Sequence, residues 1–269
     1  MPPMFEPAFM RLALVASVAT GASLGILGVY LVIRRVVFLG LVLANAATVG
    51  AAAAEVFHWP PEIASVVVAV ATATGLGLVQ RPRRVSAESV MGWAYAAASS
   101  TPVLILAAVA APDTDTLHML FGNLLAVSVS HAVGLAVVAL VIGLAHILFS
   151  QRFLLVTFDA EAAQVAGVNA RLWSLGLNLL VGVAAAAAVH EIGALLTFAL
   201  LTLPAMAALL VTSNMRATFM TAAGLGATLP CLGLAVSFYV DLPAGPTSVA
   251  LLSVCVLVAA VVGSFSSSE

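Results

Sequence analysis

Long apolar stretches separated by short polar breaks run through this chain from one end to the other. A transmembrane helix needs about 20 consecutive apolar residues, and stretches of that length recur along the whole sequence. The pattern predicts an all-α polytopic membrane protein, a compact bundle of about eight to nine transmembrane helices, in a single domain. That domain covers residues 1–269, and its predicted spans are residues 9–33, 36–56, 63–79, 89–111, 123–149, 172–189, 192–211, 217–239 and 247–263.

Charged residues mark the two ends of these spans. All nine basic residues are arginine, and only Arg11 lies away from the ends that the others share. Basic residues concentrate on the cytoplasmic side of membrane proteins, so we expect the N-terminus outside and the C-terminus in the cytoplasm. The arginines at the expected cytoplasmic ends are Arg34, Arg35, Arg81, Arg83, Arg84, Arg152, Arg171 and Arg216, and the carboxylates near the opposite ends are Glu55, Glu62, Asp113, Asp115 and Asp241.

The longest polar segment, residues 157–171, lies between two long apolar stretches. It predicts a short helix over residues 159–167. Asp159 is a good N-cap, Glu161 suits the positive end of the helix dipole, and Gly167 can adopt the left-handed conformation that ends a helix. Such a helix is too short to cross a bilayer, so we expect it to dock on a partner protein. The alternative is an ordinary cytoplasmic loop with one helical turn.

Composition narrows the functional class. Hydrophobic residues make up 63% of the chain and charged residues 7%, with a mean hydropathy of +1.20, which lies far outside the range of soluble domains. The chain contains no lysine, so it cannot form a P-loop, and any ATP must be bound by another polypeptide. Cys231 and Cys255 lie in apolar stretches and indicate neither a disulfide framework nor a cysteine zinc site.

Two adjacent ionisable residues, His190 and Glu191, lie between apolar stretches and are the sharpest candidate for a metal contact or a pathway lining. They begin the sequence HEIGA, but a zinc protease of the HExxH type needs a second histidine where this chain has Ala194. An intramembrane metalloprotease is therefore disfavoured. A paired structural turn at His190 and Glu191 remains the alternative to a role in a pathway.

Other polar residues have a structural and a functional interpretation. For the polar side chains inside predicted spans, hydrogen bonding between helices is the expected role, with function as the alternative. His58 and the loop carboxylates could guide a cation to an entrance or simply be solvated. The residues inside spans are Asn45, Asn123, His131, His146 and Asn178, and the candidate entrance residues are His58, Asp113, Asp115 and Asp241.

Five stretches, in order over nearly the whole chain, resemble the permease subunits of bacterial ATP-binding cassette (ABC) importers for zinc, manganese and iron. One is the run RRVVFLGLVLANAATVG, and another is FDAEAAQVAGVNARLW, which is similar to the family's cytoplasmic helix. The five stretches are residues 34–50, 118–125, 158–173, 192–210 and 237–249.

The resemblance implies the compact all-helical fold of the vitamin B12 importers, the type II ABC permease. It implies a second permease copy, two ATPase subunits that bind ATP in the cytoplasm, and an extracytoplasmic solute-binding protein that delivers a divalent metal ion. The chain would lie in lipid in the bacterial inner membrane, bind no cofactor of its own and contact no nucleic acid. The helix over residues 159–167 would be the coupling helix, with Asp159, Glu161, Gln164 and Gly167 at the ATPase.

The chain departs from the family's pattern at one functional position. Zinc and manganese permeases carry Asp and then His four residues later in the second span, where this chain has Leu41 and Asn45. Leucine binds no cation, and a neutral amide oxygen is a poor zinc ligand. His190 and Glu191 could replace the missing ligands, with Asn45 and Glu55 as further pathway candidates. The cargo could also be a chelated metal or a non-metal.

Two hypotheses from other classes remain open. One is an intramembrane metalloenzyme centred on His190 and Glu191. The other is a secondary transporter or channel that works without a partner ATPase.

Overall fold

The fold was obtained as a computed structural model that describes residues 8–78, 85–109 and 128–266. Within these ranges the chain folds into helices joined by short connections. In chain order they are α1 (Ala8–Ile33), α2 (Val37–Phe57), α3 (Pro61–Leu78), α4 (Ala87–Val109), α5 (Val129–Phe158), α6 (Ala160–Val165), α7 (Ala170–Val211), α8 (Met215–Val240) and α9 (Ala244–Ser266).

Eight of the described helices are long and apolar enough to cross a membrane. This confirms the prediction of an all-α, multi-pass membrane protein. The exception is α6, which has six residues and is the short helix predicted between the apolar stretches. Helix α5 is longer than its predicted span, because it continues past Phe149 to Phe158. The extension carries Arg152, whose guanidinium lies 5.1 Å from the centroid of the Trp173 ring on the helix Ala170–Val211, so its charge has a cation–π partner.

Helix α7 contains two membrane crossings. It has 42 residues, and Gly193 interrupts it with φ 78° and ψ 163°, a conformation that glycine adopts without steric cost. At 1.5 Å per residue, 42 residues span about 63 Å, roughly twice the hydrocarbon core of a bilayer. The prediction that the chain turns at His190 and Glu191 is therefore wrong by two residues. The chain reverses at Gly193, and the two ionisable residues lie at the end of the first crossing, which we call the first limb of α7.

Contacts at both ends of α7 establish that the chain turns back. Near the start of the helix, the Asn178 side chain accepts a hydrogen bond from Arg34 at 3.4 Å. Near its end, Leu210 packs against Gly263. His190, at the midpoint, lies beside Pro61 at the far end of α3. With two limbs in α7, the eight spanning helices of the described ranges make nine crossings.

The two ends of the bundle differ in charge. The arginine end is defined by Arg34, Arg35, Arg152, Arg171 and Arg216, all at or near helix ends on one side. Arg171 ties the start of α7 to the end of α3 there, since its Nη2 donates to the Leu78 carbonyl at 3.0 Å. The acidic end is the opposite one, defined by Glu55, Glu62 and Asp241.

Glycines allow α1 to pack backbone to backbone on its neighbours. A Cβ at Gly21 would overlap the carbonyl of Gly226 on α8, and one at Gly28 would overlap the carbonyl of Leu201 on α7. A Cβ at Gly25 would likewise lie only 2.5 Å from the Ala222 carbonyl oxygen. Small residues let membrane helices approach closely, and these three glycines form the face of α1 that meets α7 and α8.

A buried polar pair joins α1 to α5 near the arginine end. The Tyr30 hydroxyl lies 2.8 Å from Nδ1 of His146, and Tyr30 is 1% exposed. Phe219 on α8 packs against both rings, with centroids 4.9 Å from Tyr30 and 4.4 Å from His146. The structure thus confirms the predicted interhelical hydrogen bond for His146.

Replacing Tyr30 with phenylalanine tests this pair. We expect Tyr30→Phe to lower stability by about 1–3 kcal/mol, because it leaves the His146 nitrogen without its partner in a half-buried site. The thermal unfolding midpoint of the detergent-solubilised protein measures the effect. Tyr95→Phe, at an exposed tyrosine of α4, is the matched control and should unfold like the wild type. Equal midpoints for the two variants would contradict the expectation.

Candidate functional site

His190 ends the first limb of α7 and fastens it to α3. Its Nε2 lies 2.9 Å from the Ser65 hydroxyl oxygen and 3.3 Å from the Pro61 carbonyl oxygen. Ser65 donates its own proton to the Ala47 carbonyl on α2 at 2.8 Å, so it accepts a hydrogen bond from His190. His190 therefore helps to hold three helices together at the acidic end.

Glu191 belongs to a separate group of titratable side chains at the same end. It is 7% exposed, and its Oε1 lies 2.7 Å from Nδ1 of His131. The other nitrogen of that ring, Nε2, lies 3.5 Å from Oε1 of Glu62. Three helices thus contribute one side chain each to a row that we call the Glu62–His131–Glu191 cluster.

Local sequence fixes two members of this cluster. His131 occupies the first turn of α5, where its backbone N–H donates to the N-cap hydroxyl of Ser128 at 3.3 Å. Glu62 occupies the first turn of α3, where the helix dipole favours a carboxylate. Sequence reasoning named His131 as a polar residue inside a span, with hydrogen bonding between helices as its expected role, and missed Glu62 as a site candidate. The available signal for Glu62 was its position directly before the predicted span 63–79, at the acidic end.

The other predicted pathway residues do not join the cluster. Asn45 is 5% exposed, and its Nδ2 donates to the Leu41 carbonyl of its own helix at 2.9 Å. Glu55 is exposed near the end of α2. His58 and Asp241 are left-handed C-caps of α2 and α8. Asp113, Asp115 and Asn123 lie outside the described residues.

No three His, Cys, Asp or Glu side chains converge on one metal position in the described ranges. The His131 nitrogens face carboxylates on opposite sides of the ring, and His190 uses its Nε2 for Ser65 and Pro61. What the acidic end offers to a cation is therefore an imidazole with a carboxylate.

At the arginine end, α6 forms the second candidate site. Its N-cap is Asp159, whose Oδ1 accepts from the backbone N–H groups of Glu161 at 3.0 Å and Ala162 at 2.9 Å. Gly167 has φ 77° and ends the helix in a Schellman motif, in which Val168 N–H donates to the Ala163 carbonyl at 2.8 Å. The predicted N-cap and the predicted left-handed glycine are both confirmed.

Helix α6 is fixed to the bundle by a small apolar contact. Ala163 is fully buried against Val156 of α5 and Ala170 of α7. The opposite face is free, since Glu161 and Gln164 are exposed and Val165 is 91% exposed. Because α6 is anchored to α5 and α7 and is exposed on its outer face, a movement of α6 can be transmitted to both of these helices.

The described residues thus form a multi-pass membrane protein of nine crossings, with a short capped helix anchored between two of them. The chain belongs to the ABC 3 transport family, whose sequence profile matches residues 6–263. It is therefore a permease of the ABC transporter class. This confirms the family resemblance seen in the sequence.

Characterised relatives match over most of their length. The manganese transport system membrane protein MntC of Listeria innocua is 27% identical over 251 residues, 93% of this chain and 89% of the relative. The chelated iron transport system membrane protein YfeD of Yersinia pestis is 26% identical, over 95% of this chain and 86% of the relative. Manganese and chelated iron are the cargoes named for these relatives.

Solved structures agree in fold. PsaBC from Streptococcus pneumoniae in complex with Fab superposes with a TM-score of 0.85 at 22% identity, covering 94% of this chain and 91% of that chain. An inward-facing conformation of a putative metal-chelate type ABC transporter gives a TM-score of 0.71 at 15% identity, covering 92% and 84%. The predicted fold class, an ABC permease bundle, is confirmed.

Proposed function

We propose that this chain is the membrane-spanning subunit of an ABC importer that moves a divalent metal ion, either manganese, zinc or iron, across the cytoplasmic membrane. The observation that carries the proposal is α6, a capped helix anchored through Ala163 and free on its other face, in a chain of the ABC 3 transport family. Relatives named for manganese and chelated iron support a metal cargo.

The arginine end is proposed to face the cytoplasm, because basic residues favour that side. The N-terminus then lies outside and the C-terminus inside. In this orientation α6 is the coupling helix, and its exposed face offers Glu161 and Gln164 to a separate ATPase subunit, with Asp159 and Gly167 setting its two ends. The partner subunit binds and hydrolyses ATP, and its movement rocks α6 and shifts the bundle between outward-open and inward-open states.

Three further partners complete the proposed assembly. A second permease copy encloses the pathway, a solute-binding protein delivers cargo to the acidic end, and membrane lipid covers the remaining apolar surface. At the acidic end, His58, Asp113, Asp115 and Asp241 are the proposed entrance residues. His190, Glu191, Asn45 and Glu55 are the proposed pathway residues.

The identity of the cargo rests on a changed ligand set. Leu41 and Asn45 are both neutral, so the second span offers no charged ligand at these positions, and Asn45 donates to the carbonyl of Leu41. The alternative is a permease of the same fold that carries a chelated metal or a non-metal. The relative named for chelated iron supports a chelate as the alternative cargo.

Reconstitution tests the function. The permease and its ATPase are placed together in proteoliposomes, and uptake of radioactive manganese, zinc and iron is followed with and without ATP inside. We expect ATP-dependent uptake of a metal, and none by the permease alone. Uptake by the permease alone without ATP would instead identify a secondary transporter or channel. ATP-dependent uptake of a chelate but of no free ion would select the alternative cargo.

A further inference from the structure

The Glu62–His131–Glu191 cluster has the arrangement of a histidine prepared to bind a cation. Glu191 is buried and accepts from Nδ1 of His131 at 2.7 Å. A carboxylate that accepts from one imidazole nitrogen fixes the tautomer and leaves the lone pair on the other nitrogen. In this tautomer, Nε2 of His131 is a free acceptor that faces Glu62.

The distance between Nε2 and Glu62 does not fit a direct hydrogen bond. The two atoms are 3.5 Å apart, longer than the 2.7–3.2 Å or so of an N–H···O bond. A metal ion binds imidazole nitrogen and carboxylate oxygen at about 2.0–2.2 Å, which places two ligands on the same ion about 3.0–3.4 Å apart. The observed separation is thus close to that of two ligands sharing one cation.

Exposure differs along the cluster as expected for a capture site. The side chains of His131 and Glu62 are 44% and 54% exposed, whereas that of Glu191 is 9% exposed. An ion arriving from the acidic end can therefore reach the first two residues with most of its water shell. Two protein ligands and several waters hold an ion weakly, which suits a step from which the ion must move on.

We propose that Glu62 Oε1 and His131 Nε2 form a capture site for a divalent first-row metal ion at the acidic end, with Glu191 as a positioning residue. Imidazole with carboxylate and water suits Mn²⁺, Fe²⁺ or Zn²⁺. The assignment of the ion as transported cargo rests on the proposed function, whereas binding at these two residues does not. The site lies on α3 and α5, apart from the second-span positions now held by Leu41 and Asn45.

Manganese binding by the purified full-length chain tests the site. Free Mn²⁺ gives a six-line electron paramagnetic resonance signal that disappears on binding, so a titration yields the dissociation constant. We expect saturable binding by the wild type and a dissociation constant raised about tenfold or more in Glu62→Gln and His131→Gln. Glu88→Gln, at an exposed carboxylate in the first turn of α4, is the matched control and should bind like the wild type.

A second pair of variants isolates the positioning role. Glu191→Gln keeps an oxygen that can accept from His131 and should weaken Mn²⁺ binding only a few-fold, whereas Glu191→Leu should weaken it about 10–100-fold. Equal losses in both variants would remove the positioning role. If Glu191→Leu fails to fold, the exposed sites at Glu62 and His131 still decide the proposal.

The outcomes separate this site from the proposed function. Binding that Glu62→Gln and His131→Gln leave unchanged, or no binding of Mn²⁺ or Zn²⁺ by the wild type, would overturn the site. A loss of thermal stability in these variants at unchanged Mn²⁺ affinity would identify the cluster as a simple ion pair and overturn it too. Metal uptake by the reconstituted transporter would still support the function in that case, whereas binding without uptake would support the site alone.

Discussion

Gly226→Ala is expected to prevent normal packing of the bundle, whereas Gly224→Ala, two residues earlier on α8, should fold like the wild type. A Cβ at Gly226 would overlap the backbone carbonyl of Gly21 on α1, and a Cβ at Gly224 meets nothing within 4 Å. Since backbone cannot swing aside as a side chain can, the helices must separate. Overpacking costs about 1–3 kcal/mol and occasionally more, and here the helix affected contacts the central α1.

The two alanine variants share the same intrinsic effect, because alanine is favoured over glycine in a helix by about 1 kcal/mol. That effect raises the stability of both variants equally. The two variants therefore differ only in the overlap of the new Cβ at position 226 with the Gly21 carbonyl. Size-exclusion profiles and thermal midpoints in detergent give the comparison. A Gly226→Ala variant that is monodisperse and unfolds at the same temperature as Gly224→Ala would show that α1 and α8 are not packed backbone to backbone.

Features set by neighbouring residues could be predicted from the sequence. The spans follow from the length of apolar stretches, and α6 follows from a capping residue at Asp159 and a glycine at Gly167. Each signal acts over a few residues, so no tertiary information is needed to interpret it. The same holds for the charge difference between the two ends, which follows the alternation of spans.

Features that depend on distant contacts could not be predicted. Glu62, His131 and Glu191 lie on three helices, and the sequence does not say which faces of those helices meet. Most side chains of a span are apolar on its lipid-facing side and on its protein-facing side alike, because lipid and protein interior are both apolar. The sequence therefore does not distinguish the two sides. The sequence predicts the reversal at His190 and Glu191 rather than at Gly193, because an ionisable pair indicates a solvent-facing turn more strongly than a glycine does.

Charge reversal on α6, the proposed coupling helix, should strongly reduce transport while leaving the bundle folded. We expect the double variant Asp159→Lys, Glu161→Lys to lose ATP-driven uptake by about tenfold or more. It removes the N-cap, which contributes about 1 kcal/mol, and places two cations at the positive end of the helix dipole. Uptake by proteoliposomes containing the permease and its ATPase measures the effect, with co-purification of the ATPase as a second readout.

Glu88→Lys is the control for this experiment, since it reverses a charge in the first turn of α4, outside α6, and should transport like the wild type. The lost N-cap should destabilise α6 locally, by about 1 kcal/mol, while the membrane crossings keep the wild-type thermal midpoint, because α6 contacts the bundle through Ala163 and both substituted side chains are exposed. A wild-type uptake rate in the double variant would refute the assignment of α6 as the coupling helix and favour an ordinary loop. Loss of uptake with an unchanged thermal midpoint separates lost coupling from lost folding, because only a folded bundle unfolds at the wild-type temperature.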